Sequence, residues 1–554
     1  VAKTPKKSPR DTRREAEEAT AARRRGEKVV PASTFDLKNH KKRIGKVWAD
    51  RMHWQRLYDE AYDYAIPYRR PASRSGKGDD RISNLFDNTA LTAVPKFAGK
   101  LQQDLFPPGQ PFFTLAPGAV AKLQAGKDLV KFTQDLQQIA TLVGSFFATG
   151  EFDTAVVEMC TDLAAGTGAL IPLKGNSRHP LRFYCIPFDE IALESGAYGQ
   201  VVLISWKTKM SRRSIANAFK NGTFSTEEIE ALDKKPEEEI ELVQDFVMDP
   251  DTEQWKFVAY TDKSEVVITT ETYKTQPIAV PRYFRVPGEG YGRGPILMAL
   301  PVIKTLNKAM EITLKAAAIQ MLGIWGYRPG GAFNPDTVRL APGQFWPMSA
   351  TGGVLGADVQ RLDTTSGRID VGNLVLGDLR AQVKDALHDD TLPEGGATPK
   401  SATEIMARMQ RVAQNYLGAF GRLVNEVIPV IVPRGMEILY EQKLLDTDIK
   451  IDDLLVKIDV LSPIAHAIKA AAINKIVEYM QMIIMLKGPE ALDFIMHVDA
   501  TLTKLGIDMG VPAELLLTPE EQTGLETRLT AMAAQLAEQM VAANNQAPAP
   551  AAAA

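Results

Sequence analysis

The sequence predicts a mainly helical α+β protein of several regions, and three observations carry that expectation. Long stretches repeat apolar residues every three or four positions, most clearly at Ile405, Met409, Val412, Tyr416, Phe420 and Leu423. Between Leu181 and Tyr283 the repeat gives way to short β-branched and aromatic runs bounded by turn signals such as Asp249-Pro250 and Thr261-Asp262. At 554 residues the chain is too long for one hydrophobic core, while 45% apolar and 24% charged residues are the balance of an ordinary globular protein.

The elements follow in order. Residues 1–43 form a basic arm without apolar periodicity, expected to be disordered. Ile44 to Ile66 predicts a helix crowded with Trp48, Trp54, Tyr58, Tyr62 and Tyr64 and stopped by Pro67. A glycine-rich basic loop, Arg69 to Arg81, separates it from a second helical pattern, Leu85 to Phe106, with Pro95 as a kink. Two more helices are expected at 127–149 and 151–165, the latter closing on Gly166-Thr167-Gly168 before a strand at Leu170. Strands are expected at Val201–Trp206, Glu239–Met248, Trp255–Tyr260 and Glu265–Thr270, with a helix near Ser211–Phe219.

The glycine run Gly288 to Gly294 leads into a helix from Pro295 to about Met321, proline suiting the first helical position. On that helix Ile296, Ile303, Met310 and Leu314 share one side, and Lys304, Lys308, Glu311 and Lys315 cluster about a quarter turn away. Glycine, proline and short strands fill 322–378, and a helix at Val371–His388 leads to the loop Asp389–Pro399. The longest helical pattern, Lys400 to Glu441, carries Gly418, Gly421, Pro429 and Pro433 as kink signals. Three further helices are expected at Pro463–Lys487, Pro489–Leu505 and Pro519–Val541, then an Ala/Pro tail from Asn544.

Charge is distributed unevenly. Residues 1–46 carry fifteen Lys and Arg against six Asp and Glu, a local +9, which leaves about −12 for the rest of a chain of net charge −3. The basic arm either touches nucleic acid or an acidic partner, or is a solvated tail. Two cysteines, Cys160 and Cys185, exclude a disulfide framework and lack zinc-site spacing. Apolar runs such as Val427–Pro433 fall far short of the roughly 20 residues that span a bilayer, and no secretory signal is expected.

Enzymatic motifs are sparse. No G-x-x-x-x-G-K-[ST] occurs, and Gly288–Gly294 has the wrong spacing for a dinucleotide fingerprint, so it is expected to be a hinge. The histidines show no H-E-x-x-H, and neither G-x-S-x-G nor a cysteine with a histidine neighbour emerges. His388-Asp389-Asp390 is the one local group suited to a cation or a base, against the plainer expectation of a solvated loop. No metal or cofactor is expected.

Several motifs together resemble the head-to-tail connector (portal) family of podoviruses. They are Trp54, Tyr58 and Pro67, then Asp87-Asn88-Thr89-Ala90, Phe97-Ala98, Leu101, and Leu105-Phe106-Pro107-Pro108-Gly109 leading to Phe112-Phe113. Gly166-Thr167-Gly168, Gly290-Tyr291-Gly292-Arg293, Thr403-Glu404-Ile405 and Gly510-Val511-Pro512 continue the series over most of the chain. At Phe112 the family often carries tryptophan, so an aromatic anchor is kept.

The resemblance implies a non-enzymatic, dodecameric ring at one capsid vertex through which double-stranded DNA is packaged and ejected. It implies a wing (44–206 and 322–460), a clip (207–287), a stem helix (288–321), a tunnel loop (Asp389–Pro399) and a crown (461–543), with an arm (1–43) and a tail (544–554) outside them. Lys304, Lys308, Lys315, Asp389, Asp390 and Lys400 are the candidates to face a DNA channel, and Lys207, Lys209, Arg212 and Arg213 those for docking at the clip. For the lysines of the stem the alternative is a solvated outer face. Implied partners are further copies of the chain, the major capsid protein, scaffold, terminase motor, tail adaptor and internal core proteins, with no membrane. The implied location is the virion, with the host cytoplasm during assembly. A DNA-processing enzyme of a phage or another structural virion protein is the alternative.

Overall fold

The computed structural model describes residues 36–70, 85–124, 129–262, 266–322, 369–389 and 402–446, most of 449–488, two short strands at 325–327 and 359–361, and scattered positions elsewhere. The arm before residue 36, Asp390, Lys400, the helices expected at Pro489–Leu505 and Pro519–Val541 and the Ala/Pro tail lie outside the described residues or reach into them only at isolated positions.

Helix α1 (Leu37–Ala65) begins seven residues before the expected start, because Asp36 caps it by accepting from the Asn39 amide at 3.1 Å. It buries Ile44, Val47, Arg51, Tyr58, Tyr62 and Ala65 and ends ahead of Pro67. Helix α2 (Thr89–Leu105) carries Pro95 on its exposed side. After strand β1 (Phe113–Pro117) come α3 (Ala119–Gln124), α4 (Leu129–Thr149) and α5 (Phe152–Ala165). Phe106, Phe112, Phe147, Phe152 and Phe183 meet between them, with Phe112 stacked on Phe152 at 5.0 Å, so position 112 is an anchor for an aromatic ring.

Strands β2 (Leu170–Lys174) and β3 (Leu181–Cys185) form a hairpin. A five-stranded antiparallel sheet then runs in sequence order through β4 (Ile191–Ser195), β5 (Val201–Ser211), β6 (Glu239–Met248), β7 (Trp255–Thr261) and β8 (Val267–Tyr273). Between β5 and β6 lie α6 (Arg212–Ala218) and α7 (Thr226–Lys234), the second opened by a Ser225/Glu228 capping box. β5 is continuous across position 206, the boundary that the resemblance implies between wing and clip.

Alternation gives this sheet two distinct faces. On one, Leu203, Val243, Val258 and Tyr260 lie under the first turns of α1, which contribute Leu37, Ile44 and Val47. On the other, Leu242 and Ile268 pack under Ile215 of α6, and Phe246 and Phe257 join the main core. The first contact is locked by polar groups. His40 Nε2 lies 2.8 Å from buried Asp245, which also accepts from Tyr260 at 2.9 Å, and Lys41 donates to the Asp262 carbonyl.

After β9 (Phe284–Arg285) and β10 (Gly292–Arg293), helix α8 (Pro295–Leu322) packs against α1 and against α9 (Ile369–Ala386), with β11 (Trp325–Tyr327) and β12 (Val359–Arg361) paired between them. Helix α10 (Ala402–Glu441) continues through Gly421, Pro429 and Pro433. Its Leu423, Val427, Ile428, Ile431, Val432 and Leu439 are fully buried and form a spine of the main core. Strand β13 (Val456–Val460) returns to pair with β1 across some 340 positions, and α11 (Pro463–Lys487) follows. The fold is therefore the mainly helical α+β architecture expected.

Candidate functional site

The two glycine motifs meet. Tyr58 of α1 shares its hydroxyl between Thr167 (2.8 Å) and the Gly292 carbonyl (2.5 Å), and the Gly292 amide donates to Thr167 at 2.8 Å. A Cβ on Gly166 would lie 2.3 Å from the Gly292 carbonyl oxygen, and one on Gly294 would lie 2.2 Å from that of Ala164. Burial pushes the Tyr58 hydroxyl well above the ordinary tyrosine range, which keeps it a neutral donor. The run expected to be a hinge is thus a backbone crossing, where glycine is needed for close approach. It also walls one side of a cleft of ≈ 660 Å³, whose lining mixes Arg43, Lys46 and Arg293 with Asp50, Glu194 and Glu289, a set without the uniform sign a phosphate cradle needs.

Beside the crossing lies a buried ionic cluster that the sequence did not indicate. Asp162, 1% exposed, accepts from Tyr62 at 2.9 Å and from Arg69 at 3.2 Å, while Arg69 also reaches Glu158 at 3.2 Å. Burial raises the Asp162 carboxyl above the ordinary aspartate range, and Arg69 and Tyr62 oppose that rise. Cys185 donates weakly to the same carboxylate at 3.5 Å, so this thiol is structural.

On α8 the structure brings the three lysines into one ladder with carboxylates between them. Lys304 pairs with Glu60 of α1 at 2.9 Å, Lys308 with Glu311 at 2.9 Å, and Lys315 with the same Glu311. Hydrogen bonds from Lys315 and then Lys308 hold the Glu311 carboxyl below its usual range. Lys308 and Lys315 remain 67% and 70% exposed, so they present charge to solvent while tethered. The packing side is interrupted. Ile296 and Ile303 are buried, but Leu314 is 46% exposed beside exposed Ile312.

Asp389 departs from its expected exposure. Its side chain is 2% exposed and pairs with Lys96 of α2 at 3.0 Å, while His388, at φ 55°, lays its ring 6.4 Å from Phe97. A carboxylate so engaged is not offered to DNA or to a cation. Among the described residues no three His, Cys, Asp or Glu side chains are grouped to hold a metal ion.

The basic residues at the end of β5 and the start of α6 face an acidic counterpart. Lys207 pairs with Glu241 at 3.3 Å and lies over the Trp48 ring, Arg212 pairs with Glu238 at 3.3 Å, and Arg213 with Glu237 at 3.5 Å. Lys209 is exposed on the same strand, opposite Glu241. The result is a mixed-charge edge.

A family model described as bacteriophage head to tail connecting protein matches residues 37–517. The chain belongs to this connector family. A probable portal protein of Bordetella phage BPP-1 is 22% identical over 530 residues, covering 91% of this chain and 92% of that relative. The portal protein of Escherichia phage T7 is 20% identical over 299 residues, 53% of this chain and 54% of its own length. Among solved structures, a chain from the virion of a native gene transfer agent particle is 13% identical, with 74% of this chain and 94% of that one covered and a TM-score of 0.33. A chain from the neck of an empty gene transfer agent particle matches at 13% identity, covering 80% and 98%, with a TM-score of 0.34. Like its family, the connector is a structural component of the phage particle that joins head to tail. Among its described residues no helix is long and apolar enough to cross a membrane. In this connector the Gly-Thr-Gly and Gly-Tyr-Gly-Arg motifs serve the fold, since their glycines permit the crossing and Thr167 ties it together.

Proposed function

We propose that this connector acts as a closed, dodecameric ring at one capsid vertex of a short-tailed phage, and that double-stranded DNA is packaged and ejected through its centre. The observation that carries this is the family match over residues 37–517, nearly the whole described body. Exposed Ile312 and Leu314 beside the tethered Lys308 and Lys315 support it. A head-to-tail ring needs an apolar strip for the neighbouring copy and a weakly charged strip along which a polyanion slides. We assign the sheet β4–β8 with α6 and α7 to the clip, α8 to the stem, the remaining body to 460 to the wing, 389–399 to the tunnel loop and 461–543 to the crown.

In this reading the protein performs no catalysis. Its partners are other copies of itself, the major capsid protein, scaffold, terminase motor, tail adaptor and internal core proteins, and it assembles in the host cytoplasm. The mixed-charge edge with Lys207, Lys209, Arg212 and Arg213 is the docking surface for the motor and then the adaptor. Native mass measurement of the purified chain, with ATPase and nuclease assays alongside, tests the proposal. The expected result is a closed multimer of about twelve copies without turnover. A monomer, or intrinsic hydrolysis of ATP or DNA, would overturn it.

A further inference from the structure

A single line of cations runs along the exposed side of α1. Lys38, Lys42, Lys46 and Arg56 fall within about 80° of one another around the helix and extend for about 27 Å. All four are exposed, and Gly45 and Ala49 beside the line are small, so among the described residues none shields it. Its far end continues onto α8. Arg56 lies 3.5 Å from Glu60, and Glu60 in turn holds Lys304, the first rung of the lysine ladder. Hydrogen bonding from Lys304 holds the Glu60 carboxyl below its usual range.

This line works against the helix that bears it. The first turn of α1 has no acidic residue, yet Lys38, Lys41 and Lys42 stand at the positive end of the helix dipole. Lys38 and Lys42, and Lys42 and Lys46, are like charges four residues apart, which repel. Lys41 is drawn away to the Asp262 carbonyl and over the Tyr260 ring. No carboxylate among the described residues lies within ion-pair distance of Lys38, Lys42 or Lys46. The start of α1 is nevertheless held firmly by the His40–Asp245 contact and by Leu37 in the sheet's apolar cluster. A rigid row of cations at about 6 Å intervals, without ion pairs of their own and with carboxylates only towards its ends at Asp36 and at the cleft that Lys46 shares with Asp50, is a local cost to the fold that a polyanion removes.

We propose that the α1 ridge Lys38–Lys42–Lys46, extended by Arg56, is a contact surface for the phosphate backbone of duplex DNA, contiguous with the α8 ladder. The inference rests on the connector reading for the duplex, and adds a contact surface to it. Duplex DNA fits better than an acidic protein because the three lysines are collinear and evenly spaced, with the exposed apolar side chain of Met52 standing beyond them beside Arg56. The contact is to phosphates, hence insensitive to base sequence.

The test compares the full chain with Lys38→Gln/Lys42→Gln/Lys46→Gln, using a random-sequence duplex and polyglutamate as probes over a range of salt. The triple variant is expected to bind the duplex roughly tenfold or more weakly, with the slope of log K against log salt reduced by about 2.7, or 0.9 per lost phosphate contact. Thermal melting of the variant is expected to be no lower than that of the parent. If it does fall, Lys42→Gln alone gives the same reading at about 0.9, and the triple arginine variant should retain the parent slope. An unchanged slope overturns the proposal, as does loss of polyglutamate binding with duplex binding intact, which would assign the ridge to an acidic protein. Imaging parent and variant side by side separates the two readings. Rings in both with an unchanged slope refute the ridge alone, whereas absence of rings in the parent refutes the connector reading.

Discussion

The glycine crossing, which ties α1 to the residues just before α8, and the lysine ladder along α8 use opposite means. At the crossing, Tyr58, Thr167 and Gly292 exchange three hydrogen bonds out of contact with water, and the backbones touch so closely that even a methyl group has no room. Along the ladder, Lys304, Lys308, Lys315, Glu60 and Glu311 make ion pairs exposed to solvent, each of little worth to stability. The difference teaches that conspicuous motifs and functional surfaces need not coincide. The glycines that stand out in the sequence fix a fold, while the residues available to a polyanion are ordinary lysines.

Substitutions should therefore separate the two regions by size of effect. Gly166→Ala is expected to cost more than about 3 kcal/mol or prevent folding, since Gly166 sits at φ 149° and its new Cβ would meet the Gly292 carbonyl. A denaturant melt measures it, and a loss below about 1 kcal/mol would mean the crossing yields easily. Next comes Asp162→Ala, which leaves the Arg69 guanidinium without its main partner in a mostly buried site and should cost about 3 kcal/mol.

An intermediate effect is expected at Asp87, which Arg380 of α9 grips at 2.8 Å. Burial alone would raise this carboxyl, but hydrogen bonds from Thr89 and the Arg380 pair outweigh it and hold the carboxyl below the ordinary range. A depressed carboxyl stabilises the fold above the unfolded-state value near 4 and ceases to as pH falls through its lower folded value. Asp87→Asn should thus cost about 1–2 kcal/mol at neutral pH, with parent and variant melting temperatures converging at acid pH. A gap that persists at low pH would refute the ionic account. Smallest of all, Lys308→Gln/Lys315→Gln should shift stability by about 0.5 kcal/mol or less while weakening DNA retention by assembled particles. Unchanged retention would remove these lysines from the channel.

Much of the fold was legible because it is local. The spacing of apolar residues placed α2, α8, α10 and α11 within a few residues, and β-branched runs placed β5, β6 and β7. The early start of α1 was obscured by lysines that disfavour a helix N-terminus, and the Asp36 cap together with the anchoring of Leu37 and His40 on the sheet explains it. The pairing of β1 with β13 was illegible, since partners far apart in the chain leave no local trace. The same holds for the candidate surfaces. Helical spacing put Lys304, Lys308 and Lys315 on one stripe, but Glu60 stands 244 positions from Lys304, so its neutralising role depends on the packing of α1 against α8. Asp389 looked like an exposed loop residue because Lys96, which buries it, lies 293 positions away.

The most direct test is an electron-microscopic reconstruction of the assembled protein. The expected result is a closed ring around a central hole, with α8 lining it and Lys308 and Lys315 turned inward. A ring with α8 on its outer rim, or no ring at all, would contradict it.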